Sequence, residues 1–334
     1  MKRIRYIDSI KGFAVICVVI GHVANGYLGY RNADIVYYNI FNVLYAFHMP
    51  LFFAVSGFLF GRAYSSDEGI RKEKIKAQII NLICIYLLHS LLLGVSKMIF
   101  SQYTNNRVTA IDLIQIPIKP LELFWYLFVL IIYYFVFSRE MIMRLKSAVI
   151  FFAAFVLGAI STWLPEYLVF DLKRALYYLL FFYLGIILNK KEEILEKKRL
   201  AFLLFPCIIL LYIMFWNQKI KLNSILLVSQ ALGFTCSLFV FCVFKQYRIL
   251  GENRFLRFIG RYGLEIYLLH TYILTAFRAL LKQLNINSIP IILLVSSLAG
   301  VFIPIAIAAI SKKLHIYDFL FSPYKRRLHG APPQ

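Results

Sequence analysis

Apolar residues along this chain come in long, nearly unbroken runs, and the charges gather in short clusters between them. Runs of about 17–22 residues fall near 11–29, 41–61, 79–99, 121–138, 148–165, 173–188, 201–216, 223–244, 262–281 and 290–311. At 1.5 Å of rise per residue, each is long enough to cross a hydrocarbon layer of about 30 Å as an α-helix. No Ser/Gly-rich linker, low-complexity tract or internal repeat interrupts the series. The pattern predicts an all-α integral membrane protein of about ten transmembrane helices with N- and C-termini on the cytoplasmic side. It predicts a single domain over 1–334, with a core at about 5–312 and a cytoplasmic tail at 313–334.

Composition strengthens this reading. The chain is 61% hydrophobic and 17% aromatic, with only 16% charged residues, and its mean hydropathy is +0.73. Soluble domains hold about 45–50% apolar residues. A formal charge of +21 suggests nucleic acid in a soluble protein, but its distribution excludes that partner. On the ten-span map, 27 of the 37 Lys and Arg fall in loops on the side of the termini. That asymmetry is the positive-inside signature of cytoplasmic loops. The basic, apolar N-terminus lacks a small-residue cleavage site and is followed directly by further spans, so it is expected to be a retained first helix. Cys17, Cys84, Cys207, Cys236 and Cys242 all lie in apolar spans without CxxC or zinc-ligand spacing, and they are read as packing residues. No metal is expected.

Ionisable groups inside a bilayer are costly and usually functional. The run "KGFAVICVVIGH" has Lys11 at one end and His22 at the other. Eleven residues make three turns plus about 20°, so the two side chains share a helix face about 16.5 Å apart along the axis. Val15, Val18 and Val19 form the strip between them. Two readings stay open on spacing alone: a snorkelling lysine with a hydrogen-bonded core histidine, or a cation and a base serving one substrate. In "FHMPLFFAVSGFLF", Pro50 removes a backbone donor and predicts a break or kink beside His48. Backbone freed at membrane depth needs protein or a polar cavity around it, and Ser56–Gly57 permits close backbone approach. Arg62, Arg71, Lys72, Lys74 and Lys76 cluster ahead of the third span. They suit either an anionic ligand or the positive-inside rule. Glu265, in "LEIYLLH", is spaced to pair with Arg261 at i,i+4.

Taken together, these stretches resemble the acyltransferase-3 family of multi-span membrane acyltransferases. "YIDSIKGFAVICVVIGH" is similar to the family's opening Asp-x-x-(Arg/Lys)-Gly with a histidine further along the helix. "FHMPLFFAVSGFLF" resembles its second-helix signature and "LFWYLFVL" its Leu-Trp-Phe-Leu segment. "IGRYGLEIYLLH" resembles its late Gly-x-x-Ser-x-x-Ile-Tyr-Leu-x-His segment, with Gly263 where the family usually has Ser. The fucose 4-O-acetylase-like proteins are the subgroup nearest in character. Where the family often has paired arginines and then Pro-Tyr at the third helix, this chain has lysines and Ile85-Tyr86.

The resemblance implies transfer of an acyl group, most simply acetyl, from cytoplasmic acetyl-CoA to a hydroxyl of a cell-surface or lipid-linked glycan. It implies a multi-pass protein of the plasma or inner membrane, acting alone or with separate glycan-assembly proteins. Carried over by residue, Lys11 takes the basic position and His22 that of the catalytic histidine; His48, beside the Pro50 kink, is expected as a second catalytic group that donates a hydrogen bond to the acceptor or the thioester oxygen. Lys11, Arg71, Lys72, Lys74 and Lys76 are the candidates for acyl-CoA binding. Asp8, Ser56, Trp125, Glu265, Tyr267 and His270 are the candidates for the substrate cavity, with Asp8 either capping the first helix or orienting Lys11. The pantetheine arm is expected to follow the valine strip from Lys11 to His22. The alternative is a transporter or flippase for a lipid-linked sugar, with His22 and Glu265 as proton relays. Such transporters commonly carry internal repeats.

Overall fold

The computed structural model describes residues 3–27, 35–65, 68–99, 108–138, 140, 146–165, 169–216 and 222–324. Ser66 and Asp67, Lys219 and the tail beyond Tyr324 lie outside them. Every regular element among the described residues is helical. In chain order they are α1 (Arg5–Tyr27), α2 (Ile35–Tyr64), α3 (Glu68–Ile99), α4 (Ala110–Ile114), α5 (Trp125–Phe137), α6 (Ser147–Ser161), α7 (Leu172–Lys190), α8 (Lys198–Trp216), α9 (Leu222–Gln246), α10 (Arg248–Gly251), α11 (Arg254–Arg261), α12 (Gly263–Gln283), α13 (Ile289–Lys313) and α14 (Tyr317–Phe321).

Seven segments among the described residues are long and apolar enough to cross a membrane: Arg5–Gly26, Ile40–Tyr64, Arg71–Ile99, Leu172–Lys190, Leu227–Gln246, Gly263–Gln283 and Ile289–Lys313. Glu122–Phe137 and Ser147–Ser161 are shorter apolar helices. Helix α8 carries the span expected at 201–216. It leaves Phe202 79%, Leu203 61% and Leu210 59% exposed. Large apolar surface of that kind suits lipid rather than water. The protein is an all-α integral membrane protein.

The chain divides into two compact units, Met1–Val55 with Glu192–Ser311, and Ser56–Lys191 with Lys312–Gln334. In the first unit, α1 meets α11 backbone to backbone. A Cβ on Gly12 would stand 2.0 Å from the Leu256 carbonyl oxygen, and one on Gly260 would stand 1.9 Å from the Asp8 carbonyl oxygen. Small residues permit such approach where no hydrophobic force drives helices together. Asn253 caps α11, its side chain accepting from the Leu256 amide at 3.0 Å. The valine strip of α1 is filled by protein: Val15 and Val19 are fully buried in one cluster with Ile259, Ile266, Val301 and Ile305. The expectation that this strip carries a pantetheine arm is therefore corrected, because side chains of α11, α12 and α13 already cover it.

A group of charged side chains closes one end of this unit. Glu192 accepts from the Tyr6 hydroxyl at 2.9 Å and from Lys245 at 2.7 Å, and Gln246 donates to the Leu195 carbonyl. Arg248 and Arg5 both reach Glu252. The Arg248 hydrogen bond, ahead of the attraction of the two guanidiniums, holds that carboxyl below its usual value.

Pro50 does not break its helix: α2 runs continuously from Ile35 to Tyr64 across it. The carbonyl that proline leaves without a donor is that of Ala46. Gly233 of α9 approaches there, its absent Cβ position only 2.7 Å from the proline ring and 3.2 Å from the Ala46 oxygen. Protein backbone, rather than a polar cavity, covers the notch.

In the second unit, Gly57 and Gly61 form a small-xxx-small step on α2. A Cβ at Gly57 would lie 1.8 Å from the Phe182 carbonyl oxygen, and one at Gly61 would touch Asn189 and Ile186. Phe60 fills the space beside them, packed with Tyr134, Phe137 and Phe182. The expected tail does not begin as free chain. Residues 317–321 form α14, whose Leu320 carbonyl accepts from His89 Nε2 of α3 at 2.9 Å, with Phe321 stacked on the same imidazole.

Candidate active site

Helix α1 keeps one register from Arg5 to Tyr27, so Lys11 and His22 do share a face along it. At the foot, Lys11 Nζ pairs with Asp8 at 3.2 Å, its side chain 30% exposed. Asp8 lies inside the first turn rather than at the cap, where a carboxylate also complements the helix dipole. It therefore orients Lys11.

At the other end, three helices of the first unit bring together four polar rings. The His22 ring lies 5.1 Å from the His270 ring of α12, centroid to centroid. The Tyr45 hydroxyl of α2 is 3.4 Å from His22 Nδ1, and the Tyr45 ring packs edge-on against His48 at 4.7 Å. Tyr45 thus touches both His22 and His48, and His22 neighbours His270. His48 and His270 are fully buried, whereas His22 is half-buried.

Backbone contacts decide what two of these imidazoles can do. His48 Nδ1 lies 2.6 Å from the Leu44 carbonyl oxygen. His270 Nδ1 lies 2.9 Å from the carbonyls of both Ile266 and Tyr267. A carbonyl only accepts, so each Nδ1 carries the proton, and the neutral ring holds its lone pair on Nε2. The Nε2 of His270 is buried without a partner among the described residues. Neutral His48 likewise offers an acceptor at Nε2. A donor role for it toward a thioester oxygen would require the imidazolium. The Tyr45 contact leaves either tautomer open to His22.

Glu265 and Tyr267 are buried on the first turns of α12, and the Tyr267 ring lies 6.4 Å from that of His270. The remaining candidates belong to the second unit. Ser56 Oγ is 2.7 Å from the Tyr126 hydroxyl. Trp125 packs against Tyr178, with the Arg174 guanidinium 5.0 Å above its ring. Arg71 is engaged by Glu140 at 2.7 Å and lies over the Tyr64 ring. Lys72 and Lys76 are exposed on α3, and Lys74 is half-buried. Among the described residues no group of three or more His, Cys, Asp or Glu is arranged to hold a metal ion.

Tyr45 was missed by sequence reasoning. It sits three residues before His48 in "YAFHMP", and that helical spacing was the available signal.

Polar side chains gathered inside an apolar helical unit are costly there and usually mark a functional site. The chain belongs to the acyltransferase-3 family, whose profile, described as an acyltransferase domain, matches residues 4–310. Residues 4–310 thus make up an acyltransferase domain, carried by apolar helices of membrane-crossing length. The chain is also similar to "Nodulation protein NolL" of Sinorhizobium fredii (strain NBRC 101917 / NGR234), at 45% identity over 53 residues, which is 16% of this chain and 14% of that protein. No solved structure matches.

Proposed function

We propose that this chain is an O-acetyltransferase that moves acetyl from cytoplasmic acetyl-CoA to a hydroxyl of a cell-surface or lipid-linked glycan, in the manner of the fucose 4-O-acetylase-like subgroup. The observation that carries the reading is the His270–His22–Tyr45–His48 cluster, assembled from α12, α1 and α2. His22, half-buried between two other rings, is the general base. Its Nδ1–H donates to the Tyr45 oxygen, which leaves the Nε2 lone pair for the acceptor hydroxyl.

His22 Nε2 takes the hydroxyl proton as the acceptor oxygen forms its bond to the acyl carbon. The carbon–sulfur bond then breaks, and the His22 imidazolium returns its proton to the departing CoA thiolate. His270 and His48 present Nε2 lone pairs on either side of that exchange. They steady the protonated His22 and its ring orientation rather than donate to the carbonyl oxygen. Lys11, held by Asp8, takes CoA phosphate at the foot of α1. In the second unit, Lys72, Lys74 and Lys76 are further phosphate candidates as point charges, without the bidentate fork of arginine. Arg71 is already committed to Glu140 and contributes structure. Both termini lie in the cytoplasm, and the membrane is the plasma or inner membrane.

Radiolabelled acetyl-CoA and reconstituted vesicles test the reading. His22→Ala should insert and melt like the wild type while transfer falls by about 10²–10⁴-fold. Tyr45→Phe should lose less. Transfer within threefold of wild type in His22→Ala sinks the assignment of the base. Sugar uptake without release of CoA thiol by the wild type would favour the transporter instead.

A further inference from the structure

Hydroxyl side chains within apolar helices normally fall back on their own backbone, because nothing else satisfies them there. Several among the described residues do so. Ser237 donates to the Gly233 carbonyl, Thr235 to Ala231, Ser311 to Ala308 and Ser161 to Gly158, all at 2.6–2.9 Å. Ser296, in the middle of α13, does not. It is 2% exposed, and its Oγ has no hydrogen-bond partner among the described residues.

Helix register places that hydroxyl. Gly300, four residues on, lies against Val19 of α1, its absent Cβ position 2.8 Å from a valine methyl. Ile292, four residues back, is buried in one cluster with Val23 and Ala24 of α1. Residues at i and i±4 share a helix face. Ser296 therefore faces α1 on the rung between Val19 and Val23, and that is the rung of His22. An unpaired hydroxyl buried among apolar side chains weakens the resting protein. Alanine would fill the position without that cost.

We propose that Ser296 is a substrate-binding residue whose hydroxyl pairs with a second hydroxyl of a polyhydroxylated acceptor while His22 acts on the first. The inference rests on the reading of His22 as the base for an acceptor hydroxyl. It assigns the contact that selects which hydroxyl is presented. A serine hydroxyl both donates and accepts, which matches a sugar hydroxyl and not an anionic or apolar group. A site built to hydrogen-bond a hydroxyl discriminates strongly against the analogue lacking it, since its own group is then left unpaired.

The test uses the full chain in vesicles, acetyl-CoA as donor, and a panel of nitrophenyl hexosides with their monodeoxy analogues as acceptors. In the wild type, one deoxy analogue should lose about tenfold or more in kcat/KM. Ser296→Ala should raise the KM for the parent hexoside about tenfold, erase the penalty for that one analogue, and leave the KM for acetyl-CoA in place. Its melting temperature should equal or exceed that of the wild type. A structural serine would instead lower the melting temperature and leave the deoxy discrimination intact, and that result overturns the proposal.

A second arm needs no turnover. Ser296→Cys should react with a small hydrophilic thiol reagent, and the hexoside that serves as acceptor should slow the reaction while acetyl-CoA does not. Labelling indifferent to every hexoside overturns the proposal. Protection by hexoside in a protein that transfers no acetyl would instead keep Ser296 as a sugar contact and remove the acetyltransferase reading.

Discussion

Replacing Gly260 by alanine sets two effects against each other, and the structure says which wins. Helix propensity alone favours alanine over glycine by ~1 kcal/mol. The added Cβ, however, would lie 1.9 Å from the Asp8 carbonyl oxygen and 2.9 Å from the Gly12 amide nitrogen. A relaxed carbon–oxygen contact needs about 3.3 Å, so α11 and α1 must part by about 1.4 Å at their crossing. Both atoms it meets are backbone, with no side-chain end to swing aside. Overpacking of this kind costs ~1–3 kcal/mol, which leaves a net loss of up to about 2 kcal/mol. The displaced helix is the one that carries Asp8, Lys11 and His22, and a 1 Å misplacement can cost about 10²-fold in rate. Gly263→Ala is the internal control. Nothing lies within 4 Å of its Cβ position and its φ is not positive, so it should gain up to ~1 kcal/mol. Thermal melting in nanodiscs and acetyl transfer by each variant check both signs. A Gly260→Ala protein that melts as high as the wild type with full turnover would refute the backbone crossing as the positioning device.

Other outcomes follow from the foot of α1 and from the loops. Lys11→Ala should raise the KM for acetyl-CoA several-fold without altering membrane insertion, and added salt should weaken wild-type binding in the same direction. An unchanged KM would make Lys11 a topology anchor alone. On the ten-span map a reporter after Lys198 reads cytoplasm and one after Lys219 reads exterior, and the reversed pattern defeats the map.

The helices were legible because apolar run length is read directly off the chain, and α1, α3, α9, α12 and α13 fall where the runs predict. The Lys11–His22 face was legible for the same reason, since helix register needs no tertiary knowledge. Pro50 left open whether protein or a cavity would cover the freed carbonyl, because the local rule cannot see Gly233 arriving from residues 222–246. The valine strip misled for the same reason, as an apolar face looks identical whether a ligand or Ile266 and Val301 will cover it. His270 was visible as a polar residue in an apolar run. Its distance from His22 was not, because it depends on how α12 packs on α1. Tyr45 was within reach of the His48 spacing, but its contact with His22 depends on how α2 packs on α1.

The union of His89 with α14 reaches into biogenesis. The carbonyl that pairs this imidazole belongs to Leu320, 231 residues later in the chain. A ribosome delivering residues at about 5–20 per second therefore leaves that histidine without its companion for roughly ten seconds or more after α3 emerges. The second unit also recruits its final residues only after the whole of Glu192–Ser311 has been made. Assembly is thus interleaved rather than sequential. A nascent chain halted after α7 would hold nearly all of that unit's helices and still lack the piece that seals His89, so quality control in the membrane has a late, single event to inspect.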